Sequence, residues 1–156
     1  MTLTPTASVS VTFSLPIRLL SPNPATGQDT LNISRGPIIY TAESFDNTAI
    51  DKAYPHFKGV GMLETATFTE HQMEIEGIPM IGLRTKERAY ALDQMGEKEA
   101  YTVVGGGVGS GEKGKKARSW KRLEEGLRFV PFFARGNRGG AGRVRTALLR
   151  VDERIV

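Results

Sequence analysis

Arg35-Gly36-Pro37-Ile38-Ile39-Tyr40 reads as a joint between two strands. Gly36 tolerates positive φ and Pro37 fixes its own φ, so the pair is built to turn. Ile38-Ile39-Tyr40 has the β-branched and aromatic content of a buried strand. Pro37 suits the first position of that strand, where a missing N–H costs least. Upstream, Asp29-Thr30-Leu31-Asn32-Ile33 alternates polar and apolar residues. One arginine, Arg35, stands at the joint.

Working outward, the most regular pattern lies toward the N-terminus. Ser8-Val9-Ser10-Val11-Thr12-Phe13-Ser14-Leu15 alternates strictly, with Val9, Val11, Phe13 and Leu15 on one face and hydroxyls on the other. Such alternation predicts a half-buried strand integral to the domain, continued past Pro16 by Ile17-Arg18-Leu19. Residues 21–27 form a loop by their turn chemistry. Toward the C-terminus, residues 48–54 suit one helical turn that Pro55 ends. Strands are predicted over 60–68, 71–75, 78–83, 100–104, 127–134 and 143–151, with a break at Gly77. Residues 105–119 are rich in Gly and Lys and predict a flexible loop. Residues 120–125 suit a helical turn.

Short strands with almost no helical periodicity predict an all-β fold: a β-sandwich of short, mainly antiparallel strands, in one domain over residues 1–156. The length supports a real core. No apolar run reaches the eighteen residues of a membrane span, and no secretory leader is visible, so a cytoplasmic location is the expectation. The sequence has no Cys, which excludes disulfides and thiolate sites.

The formal charge of +4 is unevenly spread. Residues 1–112 carry 8 basic and 13 acidic side chains, whereas residues 113–145 carry 11 basic and 2 acidic. A nucleic-acid binder could use that basic third, but solvated loops and strand faces explain it more simply.

Other signals are weak. Gly109-Ser110-Gly111-Glu112-Lys113-Gly114-Lys115 imitates a phosphate-binding loop, but Lys116 stands where Ser or Thr must hold magnesium. The Gly- and Arg-rich stretch 135–145 suits a hairpin turn between strands 127–134 and 143–151 better than an RNA-binding tract. His56 and His71 lack ligand-spaced neighbours, and Glu74 and Glu76 read as solvated carboxylates.

Read with its flanks, the joint resembles a known family. Leu15-Pro16-Ile17-Arg18, Pro24-Ala25-Thr26-Gly27, Arg35-Gly36-Pro37-Ile38-Ile39-Tyr40-Thr41-Ala42-Glu43 and Asp46-Asn47 are similar to the C-terminal part of glycoside hydrolase family 127, the β-L-arabinofuranosidases. So is Val130-Pro131-Phe132-Phe133-Ala134-Arg135-Gly136-Asn137-Arg138-Gly139-Gly140, which follows in the family's order. Two departures stand out: Thr41 where members often have Cys, and Arg135 where they have Trp.

The resemblance implies a non-catalytic C-terminal β-sandwich module. Such a module would pack against a catalytic helical barrel or mediate oligomer contacts. In the family the barrel carries the nucleophilic Cys, with zinc held by further Cys and a Glu, so no cofactor is expected in this chain and the chain alone is predicted inactive. Arg35, Tyr40 and Arg138, all in the matching blocks, are the structural or interface candidates. The alternative function is a stand-alone carbohydrate-binding module.

Overall fold

The computed structural model describes residues 8–93, 119–138 and 142–156. The joint is a tight hairpin. Strands β2 (Thr30–Arg35) and β3 (Ile38–Glu43) pair antiparallel, with Arg35 opposite Ile38. Gly36 has φ +56°. A positive φ at the first central residue, with proline's negative φ at the second, is the combination of a type II′ turn. Pro37 therefore sits inside the turn, one residue before the strand it was expected to open. A Cβ on Gly36 would also stand 2.6 Å from Leu15 Cδ2, so the Leu15 side chain would have to shift to admit one.

Two ladders grow from this hairpin. Beyond β3 come β9 (Arg128–Pro131), β6 (Ile78–Thr85) and β5 (Phe68–Ile75). Beyond β2 come β11 (Leu148–Val151), β4 (Val60–Leu63), β7 (Tyr90–Leu92) and β8 (Trp120–Arg122). Strand β2 serves both: its residues 33–35 pair with β3, and Thr30 and Leu31 pair with β11. Strand β1 (Ile17–Leu20) pairs with β2, and the two-residue β10 (Val144–Arg145) pairs with β3. Among the described pairings, only β11 with β4 is parallel.

The ladders fold over one another. Ile33, Tyr40, Leu83 and Phe129 from one share a buried cluster with Val60, Met62 and Leu148 from the other. The expected all-β fold is what forms. Helix α1 (Thr48–Ala53) occupies the predicted helical turn and buries Ile50 into the same cluster, and Pro55 opens a 3-10 turn after it. The hairpin of β5 and β6 turns at Glu76 and Gly77, both with positive φ, and so turns in the type I′ manner.

Several expected elements differ. Residues 8–15 form no strand: Val9, Val11 and Phe13 are 85%, 67% and 78% exposed. The reason is geometric. Going backward from Ile17, the neighbouring strand ends at Arg35 and turns away, so the chain runs past the tip of the strand it pairs with among the described residues. Pro16 O accepts a hydrogen bond from Gly36 N at 3.0 Å, and Leu15 covers Gly36.

The predicted strand 60–68 breaks at residues 64–67, because β4 and β5 belong to different ladders. Residues 120–122 are a strand and not a helical turn, since the backbone of β8 pairs with β7 and Trp120 packs on the cluster of Tyr90 and Val151.

The predicted hairpin of 127–134 with 143–151 does not exist. Strand β9 is taken by β3 and β6, and residues 143–151 are divided between β10 on β3 and β11 between β2 and β4. Residues 132–134 form a 3-10 turn. The predicted strand 100–104, the glycine-lysine motif 109–116 and residues 105–118 of the predicted loop lie outside the described residues.

Candidate functional site

The end of β3 carries the most concentrated polar chemistry among the described residues. Glu43 follows five residues of apolar or half-apolar strand and is fully buried. Its Oε1 accepts from Gly136 N at 2.8 Å, and its Oε2 faces Arg138 Nε at 3.5 Å. Arg138 Nη1 donates to Asp46 Oδ1 at 2.8 Å. One arginine thus spans two carboxylates, and a backbone N–H binds the farther one, Glu43.

Asn47, 2% exposed, works beside them. Its Nδ2 donates to Glu43 O at 2.8 Å and Arg128 O at 2.9 Å, while its Oδ1 accepts from Arg128 N at 2.9 Å. A primary amide has two donors and an acceptor on one group, which is what pairing with a strand's free N–H and C=O requires. The same turn is repeated from the other side by Asp51 on α1, also 2% exposed. Arg143 Nε donates to both its oxygens, at 3.0 and 2.8 Å, and Nη2 donates to Oδ2. The hydrogen bond that Arg143 donates to Asp51 raises the Arg143 pKa above its ordinary value. His56 N donates to Asp51 Oδ1 at 3.1 Å, which helps hold His56 and Phe57 at positive φ.

Outside this pair lies an open groove of about 450 Å³, lined by Ser44, Phe45, Thr48, Asp51, Lys52, Pro55 and Arg143. Its single carboxylate is already engaged by Arg143. Paired-carboxylate hydrolysis needs a second carboxyl group at a set separation and a free first one. Among the lining residues there is no second.

Of the three residues singled out in the sequence, two belong together and one stands apart. Arg35 makes a two-pronged ion pair with Glu70 of β5, Nε to Oε1 at 2.8 Å and Nη2 to Oε2 at 3.0 Å. This bond holds the Glu70 carboxyl below its ordinary range and raises the Arg35 guanidinium. Tyr40, from the same hairpin, is buried and donates from its hydroxyl to Ile81 O at 2.9 Å; burial pushes its pKa up. Arg138 is in the Glu43 cluster instead.

Sequence reasoning gave no role to Glu43, Asp46, Asn47, Asp51 or Arg143. The available signal was a carboxylate closing an apolar run, Ile38-Ile39-Tyr40-Thr41-Ala42-Glu43, which needs a buried partner wherever the strand is buried. Glu74, Glu76 and His71 are exposed. Among the described residues no group of three His, Cys, Asp or Glu stands together as a metal site.

The fold and this cluster define an all-β domain in which two separated sequence blocks are joined by arginines that reach buried carboxylates. The chain belongs to glycoside hydrolase family 127: residues 17–144 match its C-terminal domain. Among curated proteins, none matches this sequence.

Among solved structures, the chain is similar to a glycoside hydrolase at TM-score 0.59 and 19% identity, over 88% of this chain and 20% of that one. It is similar to a GH127 β-L-arabinofuranosidase from Geobacillus stearothermophilus T6 at TM-score 0.58 and 17% identity, over 88% and 18%. A GH127 β-arabinofuranosidase gives TM-score 0.53 and 17% identity, over 88% and 17%. The chain thus spans about a fifth or less of the solved chains it matches. No described helix is long and apolar enough to cross a membrane. The described residues do not fit the zinc that the family resemblance implies, since Cys is absent and the buried carboxylates are engaged by arginines.

Proposed function

We propose that this chain is a non-catalytic accessory β-domain of a longer family 127 protein, packing against the portion that carries the catalysis. The observation that carries this reading is the state of the carboxylates around β3 and α1, two of them buried and one half-buried. Glu43, Asp46 and Asp51 are each held by an arginine of the same domain, which suits scaffolding and not proton transfer. Arg35, Tyr40 and Arg138 are structural residues in this reading, and zinc belongs to the catalytic portion. The single Trp, Trp120, the residue best suited to stack on a sugar ring, is half-buried against the core.

The test is direct. The purified chain, incubated with p-nitrophenyl arabinofuranosides with and without zinc and reductant, is expected to release no nitrophenol above blank. Zinc-dependent turnover would overturn the proposal.

A further inference from the structure

Residues 8–15 carry the most regular strand pattern in the sequence, and among the described residues no strand pairs with them. Val9, Val11 and Phe13 are exposed to solvent, on a segment without a single charge. A neutral, alternating, uncovered strand is what soluble proteins avoid, because it templates pairing. The segment is also fixed in direction. Pro16 is hydrogen-bonded to Gly36 and Leu15 covers that glycine, so residues 8–14 leave the domain at the tip of the β2–β3 hairpin. The family 127 C-terminal match begins at Ile17, immediately after this segment.

We propose that residues 8–15 form a β-strand seated in the open edge of a neighbouring sheet, supplied by the portion of the longer protein that lies outside this domain. The proposal rests on the accessory-domain reading above. One observation and two physical requirements select that occupant. The solved chains that this domain matches are about four to five times its length, so most of their surface lies elsewhere. Burying the apolar row also removes the segment's backbone N–H and C=O groups from water, and they then need partners. A sheet edge supplies both a ladder and an apolar layer, whereas a helix supplies only the layer. A second copy of the segment would supply the ladder alone. Two strands paired in that way leave both apolar rows uncovered, and an isolated two-stranded ribbon is marginal in water.

Backbone hydrogen exchange distinguishes these cases. In the isolated chain, peptides covering residues 8–15 should exchange fully at the earliest time, while the β2–β3 hairpin stays protected. In a fusion where this chain replaces the matching C-terminal domain of the Geobacillus stearothermophilus enzyme, residues 8–15 should exchange at least tenfold more slowly. Val11→Lys with Phe13→Lys should abolish that slowing, yet leave the melting of the isolated chain within about 2 °C.

Protection already present in the isolated chain overturns the proposal: if it vanishes on dilution, the occupant is a second copy, and if it persists, the strand belongs to this domain. Unslowed exchange in a fusion whose β2–β3 hairpin is protected overturns it as well. Should the fusion not fold, the same measurement on the unmodified Geobacillus enzyme, over the eight residues preceding its matching domain, decides by the same criterion. Failure of the accessory reading registers separately, as glycosidase turnover by the isolated chain.

Discussion

Asn47 and Arg138 carry more of this domain than their sequence surroundings suggest. Each ties the segment after β3 to a chain 81 to 92 residues further on. Removing one partner of a buried ion pair leaves the other charged and unsolvated, which typically costs about 3–5 kcal/mol. Arg138→Ala is expected at the lower end, about 3 kcal/mol, because its side chain keeps 18% exposure while Glu43 keeps none. Glu43→Gln should cost less than Arg138→Ala, since it leaves no uncompensated charge of its own burial class. Asn47→Ala strands the N–H and C=O of Arg128 and should cost at least about 2 kcal/mol. Asn47→Asp should be no milder, because it puts a carboxylate against two carbonyl oxygens. Urea denaturation of the four variants at neutral pH gives the order; an Arg138→Ala midpoint equal to wild type would mean the cluster is not stabilising.

At the scale of elements, two hairpins make opposite predictions. The β2–β3 turn is already optimal: Gly36 supplies the positive φ and the space for Leu15. Gly36→Ala should therefore cost about 1–2 kcal/mol from backbone strain alone, and more if Leu15 cannot move aside. The β5–β6 turn is not optimal, because Glu76 occupies a left-handed position at φ +50° ahead of Gly77. Asn is far better suited to that position of a type I′ turn. Glu76→Asn should stabilise by a few tenths to about 1 kcal/mol. Thermal melts of the two variants should move in opposite directions, and a stabilising Gly36→Ala would refute the turn assignment.

At the scale of the whole molecule, the Arg35–Glu70 pair reports the curl of the sheet. Strands β2 and β5 are four steps apart in the order of strands. Four flat steps of about 4.8 Å would separate them by about 19 Å, beyond the reach of one Arg–Glu pair. The bond therefore forms only because the ladder closes over the core. Its pH dependence has a definite sign. The Glu70 carboxyl lies below its ordinary value of 4.5 through the Arg35 bond, so the pair's contribution is present above that pH and is lost as pH falls further. With Glu70 41% exposed, the contribution is small, roughly 0.5 kcal/mol. The stability gap between wild type and Glu70→Gln, measured in urea, should narrow between pH 7 and pH 3; a gap that widens on acidification would reverse the assignment.

The sequence by itself determined the all-β class, the joint at Gly36-Pro37, the helical turn at 48–53 and the break at Gly77, because alternation, turn chemistry and proline act within a few residues. Only the tertiary structure decided which strands meet and which polar groups they bury. Residues 8–15 show the difference: their pattern says that one face wants covering, but the covering depends on a neighbour, and β2 turns away before reaching them. The same holds for residues 143–151, which read as one strand and are divided between β3 and the β2–β4 gap. It holds for Asp51 and Arg143, which are 92 residues apart and unremarkable in sequence. Periodicity is a local property, whereas a ladder or a buried ion pair is a contact between distant segments, so the pattern states the need and the fold supplies the partner.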